Sequence, residues 1–529
     1  MKTECYPISI LPKLSRLFVE YAASREPFVP FYNASPYGKI VPASSKASSQ
    51  LADLLAAQDR HFNAGQATFA NIEKLRSGSS AVVTGQQVTL FGGPLFTLLK
   101  AAAAIRGAKD AGAVPIFWMA TEDHDLAEAD HATLPSRHEL HTLRLDHAPR
   151  DEGKPVGGIL LGEGISPLLN QAAELLGPGA ALDALEAAYK PGATYAEAFA
   201  RFLSAVFSEQ GLILIDASTR DFHRMGAPVF RAAIERAAEL EVLLLERTRL
   251  LEERGYAAQV LVSAGGSLLF LIDDETGARL SLKRVVSADG AEIWTTGRKQ
   301  YSKEELLALL ESHPERFSPN ALLRPVFQDS ILPTAAYIGG PAEISYFAQS
   351  QVLYQAILGR MTPVLPRLSA TLIEPNIAKM LAQHSLSLTD LIAAQPEELA
   401  QRLSERVLPA EGRAKLASAG VALDEELAAL TEWMGRLDAG LGKSAEVAAS
   451  KMRYQMERLR RLASEYQLQK DGSLHKQVSS LYLNLFPNHH PQERVIGAAA
   501  FLARHGNALI SELVQLAGEE CPGHKAVYL

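Results

Sequence analysis

Cysteine is almost absent from this chain. Only Cys5 and Cys521 occur among its 529 residues, and they lie near opposite ends. This count excludes the disulfide framework of small secreted domains and favours a reducing compartment. One bridge between the two ends is compatible with the count, but we expect both thiols to be free.

Long apolar runs and an excess of positive charge are also missing. The amino-terminal segment MKTECYPISILPKLSRLFVEY lacks the apolar core of a signal peptide, and proline, glycine or charge interrupts the most apolar stretches elsewhere. The formal net charge of -8 argues against a general nucleic-acid binder. We therefore expect a cytoplasmic protein that has neither a membrane nor a nucleic acid as its partner.

Several catalytic sequence patterns are absent as well. The chain has no GxxxxGK[ST] phosphate loop, no GxGxxG dinucleotide turn and no GxSxG nucleophile elbow. It also has no second set of His, Cys or Asp residues with the spacing of a zinc site. A P-loop enzyme, an ordinary NAD enzyme and a serine hydrolase are therefore disfavoured.

The chain does contain a strand–helix–strand pattern over residues 80–131. Apolar runs at 81–83 and 114–120 flank a helix that begins near Pro94, where a missing N–H has no cost. Each run ends in polar residues, as in a βαβ unit of a parallel sheet, whose ligand lies at the carboxyl ends of the strands. Both polar clusters are therefore candidate sites.

The first polar cluster follows the first apolar run. It consists of Thr84, Gly85, Gln86 and Gln87. Hydroxyl and amide groups suit hydrogen bonds to a polar substrate, such as a sugar or an amino acid, better than acid–base chemistry. Gly92 and Gly93 allow a ligand to approach the backbone and the helix N-terminus, although a simple turn explains them equally well.

The second polar cluster follows the second apolar run. It consists of Glu122, Asp123, His124 and Asp125. Three carboxylates around one imidazole perturb one another, which is what acid–base chemistry needs. A divalent metal is an alternative. A purely structural alternative is that Asp123 or Asp125 caps the next helix.

Further strands are predicted along the chain. Residues 211–216 form a third buried strand, and 334–338 form a fourth, followed by Gly339, Gly340 and a helix over 341–358. This unit repeats the strand, glycine pair and helix of the first one. The last strand is predicted at 363–367.

The stretch 256–297 has a different pattern. It predicts antiparallel strands with a turn at 274–277, and we interpret it as a subdomain inserted into the α/β core.

A coiled-coil pattern begins at residue 423. Apolar or small residues recur in steps of four and three up to 466, with two stutters. Residues 376–407 are predicted to supply the antiparallel return. A helical hairpin within one chain and a dimerisation arm both fit this pattern.

These patterns together predict the domain organisation. The expected segments are an amino-terminal helical segment (1–78), the first half of the core (79–145), a helical insertion (146–210), a core strand and helix (211–255), a β-rich insertion (256–319), the second half of the core (320–375), an antiparallel coiled coil (376–471) and a helical return (472–529).

Five segments in combination resemble one known family. They are TGQQ, GGPLFT with Lys100, FWMATEDHD, VFQDSILPTAAYIGGPAEISYFAQ and LFPNHHPQER. Together they resemble the BshC family of bacillithiol biosynthesis, a cysteine-adding ligase family, over nearly the whole chain.

The resemblance implies a fold and an activity. The implied fold is α/β, with a Rossmann-like parallel-sheet core similar to class I aminoacyl-tRNA synthetases, inserted connecting subdomains and a long helical coiled coil that pairs two protomers. The implied activity is an amide-forming ligase that joins L-cysteine to glucosaminyl-malate in the last step of bacillithiol synthesis. By analogy with the synthetases, ATP or another nucleotide would activate the cysteine carboxylate, although neither synthetase signature is plain in this sequence. No metal is predicted.

The resemblance also extends the set of site residues. Beyond the two polar clusters and the first glycine pair, the predicted substrate contacts are Gln328, Asp329, Gly339, Gly340, Glu343 and Tyr346. Asn488, Gln492 and Arg494 are predicted to contact a nucleotide, with the first βαβ loops as the other candidate place. The alternative functions are a metal-dependent hydrolase that uses Glu122–Asp125 and a non-catalytic coiled-coil assembly protein.

Overall fold

The computed structural model of the chain describes residues 2–24, 26–286, 292–470 and 472–529. These residues form two compact units. The larger unit comprises Thr3–Thr371 and Pro491–Val527, and the smaller comprises Lys2, Leu372–His490 and Tyr528–Leu529. Within the described ranges, no helix has the length and apolarity needed to cross a membrane.

Strands and helices alternate in the larger unit, and helices dominate the smaller one. The strands are β1 (Lys2–Pro7), β2 (Ala81–Gln86), β3 (Val114–Met119), β4 (His131–Pro135), β5 (Leu140–Arg144), β6 (Ile213–Asp216), β7 (Gly266–Ile272), β8 (Arg279–Val286), β9 (Glu292–Thr295), β10 (Gln300–Tyr301), β11 (Phe317–Pro319), β12 (Thr334–Gly339), β13 (Val364–Pro366), β14 (Ala370–Ile373) and β15 (Gly523–Tyr528).

The helices are α1 (Arg16–Ala23), α2 (Ser49–His61), α3 (Gln66–Arg76), α4 (Phe96–Ala111), α5 (Leu126–Ala129), α6 (Ile165–Leu176), α7 (Ala180–Ala188), α8 (Tyr195–Val206), α9 (Arg220–Glu235), α10 (Ala237–Glu253), α11 (Lys303–Ser312), α12 (Arg324–Ile331), α13 (Pro341–Leu358), α14 (Pro375–His384), α15 (Leu388–Ala393), α16 (Pro396–Val407), α17 (Ala410–Leu437), α18 (Ala439–Lys470), α19 (Gly472–Leu485), α20 (Gln492–Val495), α21 (Ala498–His505) and α22 (Ala508–Leu516).

The core of the larger unit is a five-stranded parallel sheet. Its order is β13-β12-β2-β3-β6. Every residue of β3 and residues 81–85 of β2 are buried, which shows that both faces of these strands are covered. Strands covered on both faces are continuous apolar runs, and this is the pattern that the sequence shows. The predicted βαβ unit, the strand at 211–216 and the strand–helix unit that begins at 334 are confirmed.

Helix α4 follows β2 through a glycine turn. Gly93 has φ +72, and the helix then ends at Gly112, which is left-handed with φ +63. Leu98, Leu99 and Ala102 are buried and form the apolar face of this helix. The turn and helix therefore present their N-terminal residues at the carboxyl end of the sheet.

The insertion between α10 and α12 is a second, antiparallel sheet. Its order is β10-β9-β8-β7-β11. The β7–β8 turn is closed by Asp273, which accepts a hydrogen bond from the N–H of Glu275 at 3.1 Å, and by Gly277 with φ +74. The predicted antiparallel insertion and its turn are confirmed.

A small sheet in which β15 lies between β1 and β14 brings the two chain ends together. A disulfide joins Cys5 on β1 to Cys521, two residues before β15, across 516 positions of sequence. The prediction of two free thiols is therefore wrong. The sequence could not indicate the bridge because nothing local to either cysteine shows that β1 and β15 are neighbours.

In the smaller unit, α17 and α18 form an antiparallel hairpin. Arg453 donates to Asp424 at 2.7 Å across it, and a Cβ on Gly442 would lie 2.8 Å from the Cα of Gly435. Asp438 separates the helices and accepts from the N–H of Leu441 at 2.9 Å, as an N-cap does. Helix α16, which lies within the return predicted at 376–407, also packs against α18, but the hairpin partner of α18 is α17. The coiled-coil class itself is confirmed.

Candidate active site

Lys100 links the carboxyl ends of β2 and β12. Its ammonium donates to the carbonyl of Gly85 at 2.7 Å and to Oε1 of Gln86 at 2.9 Å, and it forms an ion pair with Glu343. The Lys100 side chain is 4% exposed and that of Glu343 is 17% exposed. All three N–H groups of this ammonium are therefore occupied by the protein, and Lys100 holds Gln86 and Glu343 in place.

Glu343 is positioned by the first turn of α13. Its Oε2 accepts from the N–H of Gly340 at 2.7 Å, and its Oε1 accepts from the hydroxyl of Tyr337 at 2.6 Å. Burial alone would raise the pKa of Glu343, but the charge of Lys100 and these hydrogen bonds hold it below its usual value. Burial lowers the pKa of Lys100, against the opposing effect of Glu343. The site therefore contains a buried carboxylate held in its ionised form.

Arg324 forms the next part of the site. It donates to the hydroxyl of Tyr346 at 2.8 Å and to Oε1 of Gln328 at 3.1 Å. Gln328 in turn donates to Asp329 at 3.0 Å, and Asp329 also accepts from Tyr354 at 2.6 Å. Gln328 and Asp329 are 0% and 3% exposed, so the structure places these two predicted substrate residues behind Arg324.

Arg367 lies next to the same helix N-terminus. A Cβ on Gly340 would be 3.7 Å from its Nε. Its guanidinium donates twice to Glu493, at 2.6 and 3.0 Å, and Arg367 and Glu493 are both buried. Ser369 links Glu493 to His524. The fork geometry fixes the plane of the guanidinium.

The site carries more positive than negative charge. Lys100 and Arg367 are buried, Arg324 is half-buried and Arg494 is exposed. These four cations surround two carboxylates, Glu343 and Glu493, whose pKa values lie below their usual range. Burial raises the pKa of a third carboxylate, that of Glu128, and the neighbouring charges of Asp123 and Asp125 add to the effect. An excess of cations around a site favours an anionic ligand.

The predicted catalytic cluster lies at the end of β3. Glu122 lies 3.2 Å from Nε2 of the buried His223, a distance within ion-pair range although the angles do not make a hydrogen bond. Asp123 accepts from the N–H of His124 at 2.7 Å. Asp125 accepts from the N–H of Glu128 and caps α5, so the structural alternative describes this residue.

His124 is held by an arginine of the inserted sheet. Arg279 donates to Nδ1 of His124 at 3.0 Å, and also to Ser318 and to the carbonyl of Pro319. Its guanidinium carbon lies 3.8 Å from the ring centre of Phe270. Because Arg279 has no acceptor, Nδ1 of His124 is the unprotonated nitrogen and Nε2 carries the hydrogen.

The first polar cluster is buried, apart from the half-buried Gln86. Thr84 is buried and donates to the carbonyl of Ile338 at 2.9 Å, which ties β2 to β12. Gln87 is 4% exposed, and among the described residues its Nε2 has no hydrogen-bond partner. A Cβ on Gly93 would lie 2.2 Å from Oγ1 of Thr89, and a Cβ on Gly92 would lie 2.3 Å from Phe202. The glycine pair is therefore required by packing.

The predicted nucleotide residues fall in different units. Asn488 belongs to the smaller unit, whereas Gln492 and Arg494 belong to the larger one. The segment after Arg494 pairs with the glycine turn, since Ala498 donates to the carbonyl of Gly93 at 2.8 Å. Arg494 interacts electrostatically with Glu343 and Glu128. The structure therefore brings Arg494 to the cation cluster.

Sequence reasoning did not assign several residues of this site. Lys100 was part of a recognised segment, and a lysine among the apolar residues of the predicted helix was a second sequence signal. Tyr337 and Glu493 also lie within recognised segments. The others had no local signal, since their main partners are distant in sequence; they are Glu128, His223, Arg279, Arg324 and Arg367. Across the described ranges, no three His, Cys, Asp or Glu side chains are arranged to hold a metal ion.

Fold and site together define a Rossmann-like α/β protein with a charged cluster at the carboxyl ends of its parallel sheet, followed in the chain by a coiled-coil unit. Residues 1–368 match the family described as "Bacillithiol biosynthesis BshC, N-terminal Rossmann-like domain". Residues 370–529 match "Bacillithiol biosynthesis BshC, C-terminal coiled-coil domain". The chain therefore belongs to the BshC family of bacillithiol biosynthesis.

Relatives in three bacteria carry the name "Putative cysteine ligase BshC". The Koribacter versatilis protein is 40% identical over 540 residues, and the Solibacter usitatus protein is 34% identical over 538, each match covering 100% of both chains. The Chlorobaculum tepidum protein is 33% identical over 504 residues, which cover 90% of this chain and 88% of that one. The resemblance stated from the sequence segments is confirmed.

Proposed function

We propose that this chain is the cytoplasmic ligase that joins L-cysteine to the amine of glucosaminyl-malate and so completes bacillithiol synthesis. The observation that supports it most is the cation cluster at the ends of β2 and β12, in a chain whose relatives are named as cysteine ligases. The malyl group of the sugar substrate carries two carboxylates. Two carboxylates would balance the excess of cations over Glu343 and Glu493.

The amine and the cysteine are proposed to meet at the end of β3. Asp123 is 44% exposed and offers a carboxylate to the substrate ammonium. His124 is 41% exposed, and Arg279 occupies its Nδ1, so its Nε2–H is free to donate to a carboxylate or carbonyl oxygen. This role refines the predicted proton handling: His124 acts as a hydrogen-bond donor through Nε2.

A nucleotide such as ATP is proposed as the cosubstrate that activates the cysteine carboxylate. Arg494 and the unpartnered amide of Gln87 beside the glycine turn suit its phosphate groups. The predicted contacts of Asn488 and Gln492 with a nucleotide stay predictions.

The reaction is tested with purified protein, L-cysteine, glucosaminyl-malate and ATP, with bacillithiol measured by mass spectrometry. We expect product to form, and to fall by about 10²-fold or more in His124→Ala, since loss of one positioned donor costs that much. The exposed His138 supplies a matched control, and His138→Ala is expected to keep full activity. Full activity of His124→Ala, or its full complementation of a strain that lacks the native enzyme, would contradict the assigned role.

Binding measurements separate the two anionic ligands. Glucosaminyl-malate and ATP are each titrated by calorimetry into the wild type and into Arg494→Gln. We expect the variant to lose affinity mainly for ATP, because Arg494 lies at the glycine turn. An equal loss for both ligands would show that they share the cation cluster.

We also propose that two copies pair through the α17–α18 hairpin. Leu430, Leu437, Met452 and Leu459 are between 52% and 61% exposed on it. Apolar side chains at coiled-coil spacing that stay exposed within one chain favour pairing with a second chain.

A further inference from the structure

The disulfide between Cys5 and Cys521 is accessible to small molecules. Cys5 is exposed on the edge strand β1, and Cys521 is half-buried. No other cysteine exists in the chain, so neither sulfur has a competing partner within it. Exposed disulfides are the ones that exchange with external thiols, and disulfides in reducing compartments are usually transient.

The bridge also anchors strand β15, whose His524 is hydrogen-bonded to residues next to Arg367. Cys521 precedes β15 by two residues, and a Cβ on Gly523 would lie 1.9 Å from the carbonyl oxygen of Tyr6 on β1. On β15, His524 accepts or donates hydrogen bonds at 2.8 Å with both Ser369 and Thr371. Ser369 donates to Glu493, which binds Arg367. An uninterrupted series of contacts therefore leads from the bridge to the cation cluster.

We propose that Cys5–Cys521 is a thiol–disulfide exchange site that takes low-molecular-weight thiols and controls the order of β15. A thiolate attacks Sγ of Cys5, the more exposed of the two residues, and the S–S bond breaks with its electron pair leaving on Cys521, which then takes a proton. A second thiol attacks the mixed disulfide, freeing Cys5 and releasing the small-molecule disulfide. Two thiols are oxidised and one protein disulfide is reduced.

L-cysteine is the probe that tests the exchange. Its choice rests on the proposed function, but the readout is protein mass and not ligation, so the two proposals fail independently. Folded protein is incubated with L-cysteine and alkylated, and the mass of the intact protein is measured by mass spectrometry. We expect the bridged form to become a two-thiol form while circular dichroism stays native, and cystine to restore the bridge. A bridge that opens only in denaturant, or two free thiols that cystine leaves open, would overturn the proposal.

Single variants identify the attacked sulfur. With cystine, Cys521→Ser is expected to gain one cysteinyl group on the exposed Cys5. Cys5→Ser is expected to gain its single cysteinyl group, on Cys521, at a lower rate, because Cys521 is half-buried. Equal rates, or the reverse order, would contradict attack at Cys5.

Hydrogen exchange tests the link to the site. The amides of Gly523–Tyr528 are expected to lose protection in the two-thiol form, whereas those of β3 keep theirs. Identical exchange of β15 in the two forms would show that the bridge does not control this strand.

Discussion

Single buried charges carry the strongest consequences in this molecule. The ammonium of Lys100 is buried and has lost its hydration. Three acceptors, supplied by Gly85, Gln86 and Glu343, replace the hydrogen bonds to water. Such a pair contributes little when intact, but one partner without the other is a buried uncompensated charge. The same physics makes Lys100 a positioning residue, since any shift of its chain would move Gln86 and Glu343 together.

Replacing Lys100 tests this pairing. We expect Lys100→Met to lower the free energy of unfolding by about 3–5 kcal/mol, because the Glu343 carboxylate is left buried and unpaired. Urea unfolding followed by circular dichroism measures it. The double variant Lys100→Met with Glu343→Gln is expected to recover part of the loss. If the double variant is as unstable as the sum of the two single ones, the pair is not coupled.

His524 predicts a dependence of stability on pH. Burial lowers its pKa to about 4, with Glu493 opposing and Arg367 adding to the effect. In the unfolded chain the value is about 6.5. As pH falls from about 6.5 towards 4, the unfolded chain therefore takes up a proton that the native chain does not, and the native state loses about 3 kcal/mol.

Unfolding midpoints between pH 7 and pH 4 check this prediction. His524→Gln keeps hydrogen-bonding groups but does not titrate, so we expect a flatter profile for it. Glu493, whose pKa lies below its usual value, adds its own loss at the acid end of the range in both proteins. Parallel profiles would show that His524 is not the titrating group.

At the scale of elements, glycine turns decide where the site forms. The turn before α4 contains Phe91, Gly92 and Gly93, all with positive φ, and the carbonyl of Gly93 pairs with the segment after α20. The sequence predicted this turn correctly, because a glycine pair before a helix is a local signal. The identity of the pairing segment was not predictable, since residue 498 is distant in sequence.

Gly93 and Gly112, which flank α4, allow the cost of steric crowding to be distinguished from the cost of backbone strain when each is replaced by alanine. Both have positive φ, but a Cβ on Gly93 would meet Oγ1 of Thr89 at 2.2 Å, whereas one on Gly112 would meet nothing within 4 Å. We expect Gly112→Ala to cost about 1 kcal/mol from backbone strain alone. Gly93→Ala is expected to cost more and to reduce substrate affinity. Equal losses in thermal unfolding would contradict the crowding at Thr89.

The α17–α18 hairpin shows where pattern analysis failed. Steps of three and four continue through residues 423–466 with two stutters but no helix-breaking residue pattern, so the sequence predicted one seam. The break at Asp438 depends on one capping side chain and on glycines, including Gly435 and Gly442, that let the helices approach closely. The heptad pattern of apolar residues does not show that the chain reverses direction at the single residue between α17 and α18.

At the scale of the whole molecule, pairing of two chains is a testable consequence. We expect the protein to sediment as a dimer and Leu430→Glu to shift it towards the monomer, because a charge replaces an exposed apolar contact on α17. Leu261 is 92% exposed in the larger unit, and Leu261→Glu is the matched control. Analytical ultracentrifugation over a range of concentrations measures both. A monomeric wild type would refute pairing.

The parallel core, its two strand–glycine–helix units and the antiparallel insertion are predictable from the sequence, because apolar periodicity and turn residues act over a few positions. Lys100, Arg324, Arg367 and Arg494 come from four separate segments, and their convergence was decided by tertiary packing. The same holds for the bridge between Cys5 and Cys521 and for the arginine that holds His124. Contacts between distant segments depend on how whole layers pack, and no local pattern records them.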